Sequence, residues 1–244
     1  MTPTNPDFPR ATAVITGASR GIGRAIARRL APSFDIVAVA RHEPALRELA
    51  AEIQSIGGAC TPVAADVTDL AAVSRALSGV AADVLVNNAG VGIMKPFLDT
   101  TPDEWRAQVD TNLNALYYVT RALLPGMVAR GRGHIIVIGS ITGRTAFPGG
   151  VCYAATKHAV MGFTESLMLE VRDAGVKVSV VMPGSVDTDF FDADGAGRAG
   201  RVGRDTSWKL RAEDVADAVA EVIDTPQRAL IHRLEIRASQ PKKK

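Results

Sequence analysis

A glycine-rich turn near the amino terminus constrains the fold of this chain more than any other feature. The stretch ITGASRGIG, residues 15–23, completes an apolar segment that ends at Thr16 and precedes the helical pattern RAIARRLA. Glycine lacks Cβ, so Gly17, Gly21 and Gly23 let the backbone take unusual dihedral angles and approach a neighbour closely. The pattern therefore predicts a strand, a tight turn and a helix amino terminus in direct succession.

Apolar, β-branched segments alternate along the chain with longer segments of helical period. The predicted strands are Ala13 to Thr16, Ile36 to Ala40, Pro62 to Ala65, Val84 to Val86, His134 to Ile138 and Val176 to Met182, with a final strand in RALIHRLEIRASQP. Nearly continuous apolar strands indicate a sheet covered on both faces, and the intervening segments are long enough for crossover helices. We therefore predict an α/β fold, a doubly wound Rossmann-type parallel sheet with helices on both faces.

Length and composition favour a single domain. The chain has 244 residues, of which 47% are hydrophobic and 22% charged, enough for one large core. We predict an amino-terminal tail over residues 1–10, a catalytic domain over 11–237 and a basic tail over 238–244. The sequence shows no signal peptide and no membrane span, so we expect a cytoplasmic protein that does not bind a membrane.

Charge and cysteine content argue against two further classes of protein. The net charge is +2, and the 28 basic residues barely outnumber the 26 acidic ones even with the three lysines that end the chain. A basic face for nucleic acid is therefore not expected. Cys60 and Cys152 cannot build a disulfide framework, and no Cys/His cluster has the spacing of metal ligands.

The position of the glycine turn indicates what it binds. A helix amino terminus offers unpaired N–H groups and a positive dipole end, which suit a pyrophosphate. Because the turn lies on the first strand-to-helix crossover, we interpret it as a dinucleotide-binding turn. A glycine-rich turn by itself would also fit a plain tight turn.

Further motifs follow in the order typical of one family. The spacing Thr16-Gly17-x-x-x-Gly21-x-Gly23 resembles the single-domain branch of the short-chain dehydrogenase/reductase family, and the similarity extends over residues 11 to 190. The later motifs are Asp66-Val67, Asn87-Asn88-Ala89-Gly90, Asn112, Ser140, Tyr153-Ala-Ala-Thr-Lys157 and Pro183-Gly184 with Thr188. The resemblance implies cofactor contacts at Gly17, Ser19, Arg20, Gly21, Ile22, Gly23, Arg41, Asp66, Val67, Asn88, Ala89, Gly90, Tyr153, Lys157, Pro183, Gly184, Val186 and Thr188.

A tyrosine and a lysine four residues apart suggest acid-base chemistry. Tyr153 and Lys157 lie on the same face of a helix, one turn apart. At about 5 Å and an effective dielectric constant of about 20, the ammonium group favours a phenolate by roughly 3 kcal/mol. This would lower the tyrosine pKa by about two units from ~10. We therefore expect Tyr153 to exchange protons near neutral pH, as a general acid or base should.

The family resemblance implies roles for the remaining catalytic candidates. It implies that Lys157 also holds the nicotinamide ribose, that Ser140 donates a hydrogen bond to the reacting oxygen, and that Asn112 supports a water that passes protons to bulk solvent. Plainer alternatives remain for two of them: Asn112 could be a helix-surface residue, and Ser140 a loop hydroxyl like its neighbour Thr142.

Two arginines point to NADP(H). NAD-binding chains generally carry an acidic residue at the end of the second strand, whereas a 2′-phosphate calls for arginine. Here that strand ends at Arg41, and Arg20 lies in the glycine turn, where its guanidinium group suits phosphate geometry. We expect NADPH rather than NADH, with two merely solvated arginines as the alternative.

The substrate is less well defined by the sequence. Residues 189–210 are rich in Gly, Arg and Asp and are interpreted as a lid, or else as a connector without a substrate role. We expect Ser140, Thr142, Phe147 and Tyr153 to contact the substrate, with further contacts from Ile141, Val91 and Gly92. The carboxyl-terminal sequence departs from that of ketoacyl-carrier-protein reductases and is faintly similar to that of relatives acting on small β-hydroxy acids.

The leading hypothesis is an NADPH-dependent oxidoreductase that reduces a small-molecule carbonyl to an alcohol reversibly. The alternatives are a non-catalytic NADP(H)-binding sensor or scaffold and, less favoured, a lyase or epimerase. The resemblance also implies a homodimer or homotetramer built on helices around 103 to 129 and 151 to 173. Ala154, Ala159 and Gly162 would allow close approach on the second of these helices.

Overall fold

The computed structural model describes residues 10–191 and 205–240, and within them seven parallel strands form one sheet. The strands are β1 Thr12–Thr16, β2 Asp35–Ala40, β3 Cys60–Ala64, β4 Val84–Asn87, β5 Gly133–Ile138, β6 Val176–Pro183 and β7 Arg233–Ile236. Their spatial order is β3-β2-β1-β4-β5-β6-β7. The order reverses between β1 and β4, and such a reversal leaves a ligand cleft outside the carboxyl ends of the strands.

The predicted doubly wound sheet is confirmed, and the predicted strands recur with small shifts of their ends. The largest shift is in β3, which begins at Cys60, two residues before the predicted start at Pro62. Proline cannot donate to a strand ladder and is tolerated at a sheet edge, which is where β3 lies. Residues 192–204 of the predicted lid, residues 1–9 and residues 241–244 lie outside the described part of the chain.

Helices cover both faces of the sheet. They are α1 Gly21–Leu30, α2 Glu43–Ser55, α3 Leu70–Ala76, α4 Pro102–Val109, α5 Ala115–Arg130, α6 Val151–Val171 and α7 Ala212–Asp224. One buried cluster joins α1, α2 and α7 to one face of the sheet, and a second joins α3, α5 and α6 to the other face. Within β1, Ala13 and Ile15 belong to the first cluster and Val14 to the second, as alternation along a strand requires.

The helix pair α4 and α5 is interrupted by a π-helical turn over Asp110–Asn114. Such turns are rare and frequently lie at functional sites. This turn carries Asn112, which is buried beneath the cleft. The fold thus brings the carboxyl ends of the central strands, the start of α1, this turn and the first turns of α6 to one edge of the sheet.

Candidate active site

A cavity of about 590 Å³ opens at the carboxyl edge of the sheet. Its size lies within the range of cofactor and ligand sites. The sequence-predicted residues that line it are Gly17, Ser19, Arg20, Gly21, Ile22, Arg41, Asp66, Val67, Asn88, Ala89, Gly90, Ser140, Tyr153, Lys157, Pro183, Gly184, Val186 and Thr188. The structure therefore brings together at one site residues as far apart in the sequence as Gly17 and Thr188.

The glycine turn forms a tight cradle at the start of α1. Gly17 has φ +66, and a Cβ added to it would lie 2.8 Å from Nδ2 of Asn88. A Cβ on Gly23 would lie 2.4 Å from the carbonyl oxygen of Gly17, so this residue packs behind the turn rather than lining the cavity. Among the described residues, no side chain caps the first turn of α1 and that turn contains no acidic residue. The uncapped N–H groups and the absence of a side chain at Gly17 fit a diphosphate.

Asn88 and Thr16 tie the glycine turn to the end of β4. The Thr16 hydroxyl accepts hydrogen bonds from the backbone N–H groups of Asn88 and Ala89, both at 3.0 Å. The Asn88 amide in turn donates to the carbonyl oxygens of Thr16 at 2.9 Å and Gly17 at 3.3 Å. These bonds fix the two strand ends on either side of the topological switch point, and so hold the cradle in shape.

The end of the cleft beyond β2 and β3 carries charged groups. Asp66 accepts hydrogen bonds from the backbone N–H of Thr68 at 2.9 Å and from its hydroxyl at 2.8 Å. Burial acts to raise the pKa of Asp66, but these bonds and the nearby charge of Arg41 outweigh it and lower the pKa. Arg41, directly after β2, and Arg20, in the glycine turn, are both exposed and both line the cavity.

The opposite end of the cleft holds the acid-base candidates. Tyr153 and Lys157 lie in the first two turns of α6 and are only 4% and 6% exposed, while Ser140 follows β5 and is buried. The Lys157 ammonium donates to the carbonyl oxygen of Ile138 at 3.1 Å and lies 5.8 Å from the centre of the Tyr153 ring. The three side chains line one wall of the cavity, as the sequence motif predicts.

The expected lowering of the tyrosine pKa is wrong for this structure. Burial raises the pKa of Tyr153 to about 12, although its side-chain hydrogen bond with Ser140 acts in the opposite direction. Burial also lowers the pKa of Lys157 to about 8. The charge of Lys157 by itself would favour the phenolate, but the expectation left out the cost of burying the charged form, which raises the pKa of Tyr153. With a pKa of about 12, Tyr153 is a neutral phenol at neutral pH.

Asn112 faces away from the main cavity. Its amide accepts from the backbone N–H of Val91 at 2.8 Å and donates to the Val91 carbonyl at 2.9 Å and to the Thr156 hydroxyl at 3.0 Å. Thr156 in turn donates to the carbonyl of Tyr153 at 2.8 Å. The side chain of Asn112 thus fastens the loop after β4 to the helix that carries Tyr153.

A second, much smaller cavity separates Asn112 from Lys157. It measures about 10 Å³ and is also lined by Thr16, Asn87 and Ile138. A single buried water needs roughly 10–15 Å³ and two to four polar partners. The cavity therefore has the size and the polar lining for one water between the lysine and the π-helical turn.

The structure does not bring all the substrate candidates to the cleft. Ser140, Tyr153 and Val91 line the cavity, whereas Thr142, Phe147, Ile141 and Gly92 do not. Thr142 is buried, and its backbone N–H donates to the Ser140 hydroxyl at 3.1 Å. Phe147 is exposed and its ring packs close to Gly150. Both residues shape the loop between β5 and α6 rather than the cavity wall.

Sequence analysis missed several residues that line the cavity. Phe190 packs edge to face against Tyr153, with ring centres 5.9 Å apart. Arg211 and Glu213 reach the cavity from the start of α7, and Arg24 reaches it from α1. Phe190 belongs to the predicted lid over residues 189–210, but the sequence did not distinguish it from the other lid residues. The α7 residues lie far from any motif in the chain.

Over residues 10–191 and 205–240, no helix is long and apolar enough to cross a membrane. Within the same ranges, no group of three or more His, Cys, Asp or Glu side chains is placed to hold a metal ion.

Comparison with known proteins agrees with this site. Residues 11–199 match the family described as short chain dehydrogenase. The chain is 35% identical over 233 residues to the NADP-dependent 3-hydroxy acid dehydrogenase YdfG of Escherichia coli K12, covering 91% of this chain and 93% of that protein. It is 40% identical over 188 residues to oxidoreductase UcpA of the same organism, covering 75% of this chain and 72% of that one.

A solved structure of similar fold carries the same cofactor class. The closed form of a serine dehydrogenase complexed with NADP⁺ superposes with a TM-score of 0.85 at 34% identity, covering 93% of this chain and 94% of that one. The protein is accordingly an NADP(H)-dependent oxidoreductase that interconverts alcohol and carbonyl groups. The match over 11–199 and these relatives together show that the chain belongs to the short-chain dehydrogenase/reductase family.

Proposed function

We propose that this protein reduces the carbonyl group of a small 3-oxo acid or its ester, and oxidises the 3-hydroxy product in reverse, with Tyr153 as the proton donor. The observation that carries the proposal is the buried cluster of Tyr153, Ser140 and Lys157 on the wall of a cavity of about 590 Å³. NADPH, when bound, supplies the hydride, and the protein contributes orientation and a proton.

Each member of the cluster has a role that its surroundings support. The Tyr153 hydroxyl gives its proton to the carbonyl oxygen as the carbonyl carbon receives the hydride, so an alcohol and a phenolate result. Ser140 donates a hydrogen bond to the same oxygen and fixes its position. Lys157 stabilises the phenolate through its positive charge, 5.8 Å from the ring centre, and holds the nicotinamide ribose.

The proton returns to Tyr153 through Lys157 and the small cavity next to Asn112. The cavity of about 10 Å³ touches both residues and has room for one water. Asn112 acts here by position, because its side-chain amide is engaged by Val91 and Thr156. It keeps the wall of the water site in place.

The substrate class is supported by what the named relatives share. One is a 3-hydroxy acid dehydrogenase and another a serine dehydrogenase, and serine also carries a hydroxyl group on the carbon next but one to the carboxylate. An enzyme of this type would accept the same arrangement of alcohol and acid.

The choice of NADP(H) over NAD(H) is assigned to Arg20 and Arg41. Both are exposed, as groups that bind an incoming phosphate should be, and Arg41 is close enough to Asp66 to lower the pKa of that carboxyl group. Asp35, at the start of β2, forms an ion pair with Arg10 at 3.4 Å and lies away from the site.

Self-association through α5 and α6 completes the proposal. Tyr117 and Val128 on α5 and Leu169 on α6 are exposed apolar side chains, and a Cβ on Gly162 would meet no atom within 4 Å. Such a surface favours a homodimer or homotetramer, which light scattering at micromolar concentration would test. The cytoplasmic location expected from the sequence stays a prediction.

The reaction is tested by following NADPH consumption with a carbonyl panel. The panel contains a small 3-oxo acid ester, a β-ketoacyl thioester, a diketone and a cyclic ketone, each run beside Tyr153→Phe. We expect the 3-oxo acid ester to be reduced fastest and the variant to lose that reduction. Turnover of another panel member alone would replace the substrate class. Tight NADPH binding with no turnover in any arm would favour a sensor or scaffold.

A further inference from the structure

A short 3₁₀ helix, Asp189–Phe191, lies across the cleft just after Thr188. The Thr188 side chain approaches the glycine turn, where its methyl group lies 3.5 Å from the position of a Cβ on Gly21. Two residues later, the Phe190 ring comes within 3.5 Å of the position of a Cβ on Gly90. The segment thus spans the cleft from the diphosphate cradle to the acid-base cluster.

The ring of Phe190 rests directly on the catalytic tyrosine. Its centre lies 5.9 Å from that of the Tyr153 ring, and the two planes meet at 64°. Edge-to-face packing at this distance is a favourable aromatic geometry. Phe190 therefore forms the wall of the space in front of the tyrosine and helps to exclude water from it.

The backbone that precedes Phe190 is held in place by pairing with a second segment. Val186 bridges to Leu210 in parallel fashion, with Asp187 N–H to Leu210 O at 2.8 Å and Leu210 N–H to Ser185 O at 3.0 Å. The Thr206 hydroxyl donates to the Asp187 carboxylate at 2.9 Å. These contacts anchor the backbone up to Asp187 and so limit the positions that the Phe190 ring can take.

This geometry limits the space available to a substrate. To receive a proton from Tyr153, the carbonyl oxygen must lie within about 2.6–3.2 Å of the tyrosine hydroxyl. Phe190 closes this side of the tyrosine, because its ring lies only 3.5 Å from the position of a Cβ on Gly90. A substituent of the carbonyl carbon on this side must rest against the phenylalanine ring, which leaves less room for a branched or aromatic group than for a methyl group.

We propose that Phe190 is a specificity-determining residue, which restricts the protein to carbonyl compounds with a small substituent beside the reacting carbon. The inference rests on the carbonyl reduction proposed above. Phe190, which is not part of the acid-base cluster, would thus distinguish small from bulky members of one substrate class.

The test compares three methyl esters whose keto substituent grows from methyl to tert-butyl to phenyl: those of acetoacetate, pivaloylacetate and benzoylacetate. NADPH-dependent kcat/KM is measured for the wild type, Phe190→Ala and Phe190→Leu. Phe97→Ala is the matched control, since it removes an exposed phenylalanine from another short 3₁₀ helix, Phe97–Asp99, that lies outside the cavity lining.

We expect Phe190→Ala to raise the kcat/KM ratio of the benzoyl to the acetyl ester by about tenfold or more. Phe190→Leu should raise it less, and Phe97→Ala should leave it unchanged. The pH profile gives a second readout, because burial holds the pKa of Tyr153 at about 12. Admitting water beside the ring should move the alkaline limb of the reduction to lower pH in Phe190→Ala.

An equal loss of activity toward all three esters with an unshifted pH limb would mean a purely structural role and would overturn the proposal. If the wild type reduced none of the esters, the substrate class would fail separately. The size ratio is then read without turnover, as ester binding to the NADPH complex of Tyr153→Phe, followed by NADPH fluorescence. An unchanged ratio after adding Phe190→Ala would overturn the assignment in that case as well.

Discussion

Two buried lysines lie at opposite ends of the strands, Lys157 near the carboxyl ends and Lys177 near the amino ends. They differ in the groups that surround the ammonium group. Lys157, 6% exposed, donates to one carbonyl, that of Ile138, and lines the cavity. Lys177 is 8% exposed and donates to two carbonyls, those of Thr225 at 2.8 Å and Pro226 at 3.0 Å. Burial lowers the pKa of both lysines.

The comparison distinguishes the lysine proposed to act in the reaction from a lysine whose hydrogen bonds stabilise the fold. An ammonium group has three donors, and leaving buried polar groups unpaired costs about 1–3 kcal/mol each. Lys177 donates to two carbonyl groups of the loop after α7, so its hydrogen bonds stabilise the fold. Lys157 keeps donor capacity toward the cavity, where a ribose or a phenolate can take it up.

Removing the tyrosine hydroxyl should have the largest effect at the cavity edge. Tyr153→Phe eliminates the proposed proton donor but keeps the ring against Phe190. We expect kcat/KM for the best carbonyl substrate to fall by about 100- to 10,000-fold while NADPH still binds. Stopped-flow and fluorescence titration measure the two quantities. Tyr117→Phe, on an exposed tyrosine, is the control; a loss of less than tenfold in Tyr153→Phe would assign the proton to another group.

Replacing the two lysines in parallel tests the comparison itself. Lys157→Met should lower kcat by about 100-fold or more, because the phenolate loses its counter-charge, and should lower the free energy of unfolding less than Lys177→Met does, because only the Ile138 carbonyl loses its donor. Lys177→Met should keep kcat but lower the free energy of unfolding by roughly 1–3 kcal/mol, because two carbonyls lose their donor. Urea denaturation and steady-state kinetics on both proteins check this. The reverse pattern would contradict the distinction drawn between them.

Arg41, at the other end of the cleft, is an exposed cation and can be compared with the two buried lysines. Arg41→Asp removes the guanidinium group proposed to bind the 2′-phosphate and adds a repulsive carboxylate. Charge-assisted hydrogen bonds contribute about 1.5–3 kcal/mol, so the NADPH preference over NADH should drop by roughly 10- to 100-fold and can invert. Binding titrations with both cofactors measure it.

Arg47→Asp is the matched control for this experiment. It makes the same change of charge on α2, where Arg47 pairs with Glu43 at 2.6 Å on an exposed surface. The NADPH/NADH ratio should not move in that variant. If Arg41→Asp likewise left the ratio unchanged, the cofactor preference would have to be reassigned to Arg20 or to the arginines of α1.

What the sequence could predict depends on how local each feature is. The glycine turn and the pair Tyr153 and Lys157 follow from short-range spacing, and both appear in the structure as expected. The parallel, doubly wound sheet follows from the alternation of strands and helices. The protonation of Tyr153 could not be predicted in this way, because its pKa depends on burial by segments far away in the chain.

Two further features arise only from tertiary packing. The sequence DTNLNA gives no sign of the π-helical turn at Asn112. The turn lies between α4 and α5, and Asn112 on it is hydrogen-bonded to Val91 in the loop after β4. Phe190 reads as one of two adjacent phenylalanines in the sequence DFFD. Its contact with Tyr153 joins residues 37 positions apart in the chain, and the segment before it is held by pairing of Val186 with Leu210.

The last predicted effect concerns the amino ends of the strands, next to Lys177. His134 is buried on β5, and its Nε2 lies 2.8 Å from the Ser179 hydroxyl. Burial, reinforced by the charge of Lys177, lowers the pKa of His134 from 6.5 to about 3. Between these values the unfolded chain binds the proton and the folded chain does not, so protonation favours unfolding.

The stability that His134 contributes as a neutral ring is therefore complete above about pH 6.5 and is lost as the pH falls toward 3. The loss amounts to roughly 1.4 kcal/mol for each pH unit. Urea denaturation at pH 7 and pH 5 should thus show a steeper decline for the wild type than for His134→Gln, by about 2 kcal/mol. If stability declined equally with pH in the wild type and in His134→Gln, the His134 imidazole would have to be charged at pH 5 in the folded protein. Lys177 would then lie beside a charged ring, which would contradict this prediction.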